Sequence, residues 1–297
     1  MTGRSGVERQ IRAIHEALEG KDFENVDEAN AYLAQLMASG EPIETDISKL
    51  SPERRAQELV YSALEAEDRK KLELARAALE LDPLCTDALL ILAQDYEDIE
   101  EARPLVERAV EAGRKSLPPE YFSDPQYLGR FWSIIETRPF MRALAYEADM
   151  FYLLGELERA IDVGYEMLDL NPNDNQGVRY DLAVWLVTAG QDAEALDLMN
   201  SYGNDISASF PYLRALIAFR ASGDNSRARK LLGKAFDANP YVLDVIREEE
   251  LPAAPMHYGV GDYSEAVTIA RSQIPLWAEN GKFVQWMSRA ANRRYPY

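Results

Sequence analysis

A right-handed, all-α solenoid of paired helices is the fold class the sequence predicts, and three observations predict it. Two Asn-Pro pairs, Asn171-Pro172 and Asn239-Pro240, close similar segments (EMLDLNP and KAFDANP) two 34-residue periods apart. Small residues recur where paired helices must approach closely. No stretch alternates apolar and polar residues over strand lengths.

The elements follow in chain order. Residues 1–50 suggest two amphipathic helices, about 6–19 and 26–38, separated by Gly20-Lys21-Asp22. Residues 53–82 read as a helix pair with DRKK as its connection, closed by Asp82-Pro83. In 86–116 a second pair places Leu89, Leu92, Ala93 and Tyr96 on its first helix and Ala102, Val106 and Ala109 on its second. A Pro- and aromatic-rich insertion (LPPEYFSDPQYLGRFW) then interrupts the register. Three regular pairs fill 136–240. Leu144, Ala148 and Phe151 pack with Ala160, Gly164 and Met167 across a turn at Gly155. Trp185 heads the middle pair, which turns at Ala189-Gly190 and has Ala193 and Ala195 straddling its small-residue position. Tyr212, Ala215, Leu216 and Phe219 face Ala228, Leu232 and Ala235 across Gly223-Asp224. The segment 241–260 reads mostly as loop. Gly261-Asp262 opens a helix carrying Ala266 and Ala270, and 281–291 reads as a last helix. Trp277 and Trp286 are expected to cover the terminal face. A 34-residue pair with small residues in its second helix and a closing Pro is the tetratricopeptide signature. The expected organisation is an N-terminal helical extension over 1–50 and a repeat array over 51–297.

Composition bounds the function. The 297 residues carry 51 acids against 32 Lys and Arg, a net charge of −19, with 47% hydrophobic residues. That balance fits a folded, soluble chain and argues against nucleic acid or an anionic membrane surface as partner. No apolar run approaches the roughly 18 residues of a membrane span, and the charged N-terminus lacks a signal-peptide core. A single cysteine, Cys85, fits a reducing, cytoplasmic setting, and its place after a helix-ending Pro suggests a packing residue. Two histidines, His15 and His257, lack neighbours at ligand spacing, so no metal or other cofactor is expected. The run Asp95–Glu101 is acidic but lacks the Gly and terminal Glu of a calcium loop, and reads as a solvated turn. With no phosphate loop and no nucleophile elbow, the chain is not expected to be an enzyme.

Several stretches go beyond generic repeat spacing. SIIETRPFMRA, LDLNPNDNQGVRYDLAVWLVTAG, FDANPYVLDVI and YGVGDYSEAVTIA, followed by the tryptophan of LWAENG, resemble a bacterial family of tetratricopeptide-like proteins. That family is in turn similar to the C-terminal half of the suppressor-of-tumorigenicity-seven proteins of animals. The resemblance spans roughly residues 51–290 and implies a helical-repeat adaptor with no catalytic residues to carry over. The cysteine-rich metal module of some bacterial relatives has no counterpart here.

In tetratricopeptide arrays the first helix of each pair lines a concave groove. Carried over by position count, that groove contains Arg142, Asp149 and Tyr152, then Gln176, Arg179 and Leu186, then Phe210, Leu213 and Arg220. It is apolar and studded with Arg on an otherwise acidic chain. Thr137 is placed to cap a helix beginning near Pro139, and Asn173 with Gln176 has capping-box spacing. Arg138, Arg142 and Arg179 fall near those helix starts and suggest an anion site. The competing expectation is that these Arg residues pair with carboxylates of the chain itself. The basic tail Lys282, Arg289, Arg293, Arg294 could dock on the chain's acidic surface or on another copy, giving a homo-oligomer, or solubilise the terminus. The sequence therefore points to a non-catalytic scaffold holding a protein or peptide partner in the groove, with a sensor for a small anionic ligand as the alternative.

Overall fold

The structure is a computed structural model that describes residues 2–18, 21–38 and 47–294; Gly20 of the expected linker and the last three residues of the basic tail lie outside them. Helix starts are set locally. Ser51 accepts a hydrogen bond from the Arg54 amide while Pro52 occupies the first turn, where its missing N–H costs nothing. Asp98, Asn225 and Asp262 cap three further helices in the same way. Gly190 and Gly223 have φ of 76° and 64° and no atom near a would-be Cβ, so backbone conformation alone calls for glycine in these turns.

Every described element is helical. The chain forms two compact units, residues 1–154 with 166–175, and residues 155–165 with 176–297. The first contains α1 (Thr2–Leu18), α2 (Val26–Ala38), α3 (Pro52–Glu65), α4 (Asp68–Leu81), α5 (Thr86–Ala93), α6 (Ile99–Ser116) and α7 (Arg138–Leu153). α8 (Leu157–Leu170) contributes its start to the second unit and its end to the first. The second unit continues with α9 (Val178–Thr188), α10 (Asp192–Ser201), α11 (Ser209–Ser222), α12 (Ser226–Ala238), the short α13 (Val242–Ile246), α14 (Tyr263–Ser272), α15 (Ile274–Glu279) and α16 (Gly281–Arg294). None is long and apolar enough to cross a membrane.

Sequential helices pack as pairs in each unit: α3 on α4 and α5 on α6 in the first, α9 on α10 and α11 on α12 in the second. Ala75 and Ala78 of α4 lie fully buried with Ala56, Val60 and Ala63 of α3. In α12 the buried residues are the expected Ala228, Leu232 and Ala235, joined by Phe236. Trp286 stacks on Phe219 with ring centroids 4.7 Å apart, so the terminal tryptophan does cover α11.

Four details differ from the sequence reading. DRKK, expected as a connection, forms the first turn of α4 (Asp68–Leu81), and the link is the shorter Ala66-Glu67. In the middle pair Ala195 alone is the packing alanine; Ala193 faces solvent because the repeat is out of register. Thr137 does not cap α7. Its hydroxyl donates to the carbonyls of Phe131 and Ile134, and a 3-10 turn over Ile135–Thr137 leads into the helix instead. Nor does a capping box open α9: Gly177, with φ 83°, stands at the N-cap and makes no side-chain bond. The insertion before α7 is part of the core, since Phe131 is fully buried and lies 5.3 Å from Phe122 and 6.4 Å from Phe140.

The α6–α7 contact yields a testable consequence. A Cβ on Gly113 would lie 3.1 Å from the Cα of buried Phe140, and backbone cannot swing aside. Gly113→Ala gains about 1 kcal/mol of helix propensity but forces the helices apart, so a net loss of about 1–2 kcal/mol is expected. Chemical denaturation of the variant measures it; an unchanged or raised midpoint would show that α6 shifts freely.

Candidate partner-binding site

In the first unit Arg138 and Arg142 are taken up internally. Arg142 grips Asp87 in a forked pair, Nε to Oδ1 at 2.8 Å and Nη2 to Oδ2 at 2.6 Å. The same guanidinium donates to Glu8 of α1 at 2.9 and 3.2 Å. Gln57 donates to Asp87, the Tyr61 hydroxyl donates to Glu8, and Arg12 donates to Tyr61. Desolvation works to raise the Asp87 carboxyl, but the charge and hydrogen bonds of Arg142 outweigh it and leave it below the usual range. Arg138 donates to the Trp132 carbonyl at 2.9 Å and stands 3.8 Å from Glu8. Tyr152 is half-buried.

Asp149 behaves differently. It is accessible to water, yet enough protein surrounds it that desolvation lifts its carboxyl to about 6. A raised carboxyl binds its proton more tightly in the folded chain, so Asp149 lowers stability as pH rises from about 4 to about 6. Asp149→Asn is therefore expected to be slightly more stable than the parent at pH 7, by less than about 1 kcal/mol after solvent screening. The difference should vanish at pH 4; urea midpoints at the two pH values check it.

The second unit also places its Arg residues against oxygen. Arg179 donates to Asp205 at 2.8 Å and to the Tyr180 hydroxyl at 2.7 Å, which in turn donates to Asp205. Arg220 donates to the Val187 carbonyl at 2.8 Å and lies 3.4 Å from Asp192. Leu186 and Leu213 are fully buried and Phe210 nearly so. These three belong to the core, because α9 and α11 are apolar around most of their circumference and such helices are buried on all sides. Of the residues expected in an open, apolar, Arg-studded groove, Leu186, Phe210 and Leu213 are thus packing residues, and Arg142, Arg179 and Arg220 face acids or carbonyls. Arg294 of the basic tail likewise bonds to Gly233 and Asp237 of α12, and α16 is a folded helix with Phe283, Trp286 and Met287 buried.

What the second unit does offer is a cleft of about 190 Å³ between the start of α9, the start of α11 and α14. Gln176, Tyr180 and Asp181 form one wall, Ser207 and Ser209 the second, and Glu265, Thr268 and Ser272 the third, with Tyr258 at the edge. Glu265 organises it. This carboxylate, 1% exposed, accepts from the Ser207 hydroxyl at 2.9 Å, the Ala208 amide at 3.0 Å, Asn239 at 3.0 Å and the Gly261 amide at 2.7 Å. Gln273 donates to the Ser209 hydroxyl oxygen at 2.8 Å from behind. Ile206, between Asp205 and the cleft residue Ser207, is 75% exposed, and Tyr258 is 48% exposed.

Of the sequence-derived residues, Gln176 lines this cleft, Arg179 braces its Tyr180, and Phe210 lies 5.3 Å from the Tyr180 ring. Glu265, Ser207, Ser209 and Tyr258 were not legible. The available signal was the spacing Asp262-x-x-Glu265, which suggests a capping box. Asp262 does accept from the Glu265 amide, but the glutamate reaches away to four other donors.

Among the described residues Cys85 is buried with its thiol pushed up to about 12 by desolvation, which leaves it unreactive. No group of three or more His, Cys, Asp or Glu side chains among them could hold a metal ion.

No family model matches the chain, and no curated protein does. The relation to the animal proteins is found in neither comparison. The chain is similar to a solved structure described as YrrB, a TPR protein with an unusual peptide-binding site. That match has 20% identity and a TM-score of 0.45, and covers 63% of this chain and 84% of that one.

Proposed function

We propose that this chain is a non-catalytic interaction scaffold in which an array of helix pairs, extended at its N-terminus by residues 1–50, presents the cleft of the second unit to a segment of a protein partner. The observation that supports this most is the cleft's form. A largely polar lining carries the exposed ring of Tyr258 at its edge, and Ile206, next in the chain to the lining residue Ser207, is an exposed apolar side chain. At about 190 Å³ it is smaller than the roughly 300–1,000 Å³ of small-molecule sites and suits one long side chain. A small anionic ligand is less favoured, since Arg142, Arg179 and Arg220 each already face an acid or carbonyl.

The test is affinity capture from the native cell with the full chain, beside Ile206→Asp and Tyr258→Ala. A stoichiometric partner retained by the parent and lost from both variants is the expected result. Capture unaffected by both substitutions would remove the cleft from the reading.

A further inference from the structure

We infer that the cleft takes a cationic side chain, the ammonium of a lysine or the guanidinium of an arginine, supplied by a basic segment of the partner. This rests on the scaffold reading above and adds the chemistry of what enters.

The first support is the balance of charge in the lining. Asp181 and Glu265 contribute two carboxylates, Ser207, Ser209, Thr268 and Ser272 contribute hydroxyls, and no Lys, Arg or His is present. The second is how Glu265 is held. Its four hydrogen-bond donors are two amides of the backbone, one side-chain amide and one hydroxyl, all neutral. Among the described residues no cation stands within ion-pair distance of it, so a whole negative charge is buried at the floor on dipoles alone. The nearby guanidinium of Arg179 is already matched by Asp205 at 2.8 Å.

A third observation is a buried side chain outside the lining that holds the lining residue Ser209 from behind. Gln273 is fully buried, gives its amide nitrogen to Ser209, and leaves its side-chain oxygen without a donor. A lining whose only formal charges are carboxylates is complemented by a group that only donates, which is what ammonium and guanidinium groups do. Shape agrees with charge: the aliphatic stem of a lysine or arginine can lie along Tyr258 and Ile269 while its head enters the cleft. The chain's net charge of −19 steers basic segments toward it.

The probes are Nα-acetyl-lysine methylamide and its arginine, norleucine and glutamate counterparts, titrated into the ¹⁵N-labelled full chain and followed by NMR. The lysine and arginine probes are expected to give saturable shifts at the amides of Ser207, Ser209, Thr268 and Ser272. Norleucine and glutamate should bind at least tenfold more weakly. Asp181→Asn should weaken the cationic probes about fivefold or more. Thr268→Arg, which places a guanidinium in the cleft, should abolish their binding even where Asp181→Asn proves unstable. Equal shifts from norleucine, or shifts confined to acidic surface such as 95–101, would overturn the inference. If capture still depends on Ile206 while the cationic probes fail, the scaffold reading stands without the cation. If the probes bind but capture ignores Ile206 and Tyr258, the cleft binds cations and the scaffold reading fails.

Discussion

Glu265→Ala is expected to destabilise the second unit by about 2–3 kcal/mol. The substitution leaves the Ala208 amide, in fully buried backbone, without an acceptor, and each orphaned buried donor costs about 1–3 kcal/mol. Asn239 loses one of its two acceptors and keeps the Asp262 carbonyl at 2.8 Å, while the half-buried Gly261 amide can turn to water. The start of α11 and the chain around Gly261 thus share one acceptor side chain. The loss should appear as a fall in the urea midpoint, read by amide exchange in α11 and α14, with α3–α6 unaffected. The two units need not unfold together, so a single whole-chain melting temperature is the wrong readout. Glu265→Gln should lose less, because it keeps one acceptor oxygen. A loss below about 1 kcal/mol for Ala would show that water replaces the carboxylate.

Arg142→Met should cost the first unit about 3–5 kcal/mol at pH 7, the penalty for removing one partner from a buried ion pair. The variant strands Asp87 and Glu8, whose side chains are each only 8% exposed. The pH dependence carries the argument. In the parent the folded Asp87 carboxyl lies below its ordinary value. It contributes stability above about pH 4 that is lost as pH falls through its depressed folded value. Without Arg142 the desolvation that opposes that depression dominates, and the sign reverses. The deficit of the variant should thus be largest at neutral pH and shrink on acidification. Asp87→Asn and Glu8→Gln, combined with Arg142→Met, should recover much of it, since no orphaned charge remains. Because Glu8 belongs to α1, Arg142→Met should also speed amide exchange throughout α1. A deficit that is independent of pH would assign Arg142 a packing role only.

How much of this was legible depended on how far apart the cooperating residues lie. The turns at Gly190 and Gly223 and the packing alanines Ala228 and Ala235 could be read because each follows from spacing within one helix pair. The Arg residues were recognised as unusual, but their partners were not. Arg142 meets Asp87 and Glu8, which are 55 and 134 residues away, and Arg179 meets Asp205, 26 residues on. Thr137 has the composition of a cap, yet the carbonyls of Phe131 and Ile134 in the preceding chain claim its hydroxyl.

The sequence by itself determined the all-helical character, the phase of the helix pairs and the places where they turn. Those properties follow from local periodicity, glycine conformation and the small residues that close packing demands. Only the tertiary structure decided which apolar side chains are core and which are rim, burying Leu186 and Leu213 while leaving Ile206 exposed. It also decided that Glu265, one acid among 51, would be held on four neutral donors at the floor of a cleft. Solvent exposure and the sharing of donors are set by all the chain that surrounds a residue, which its neighbours in sequence do not specify.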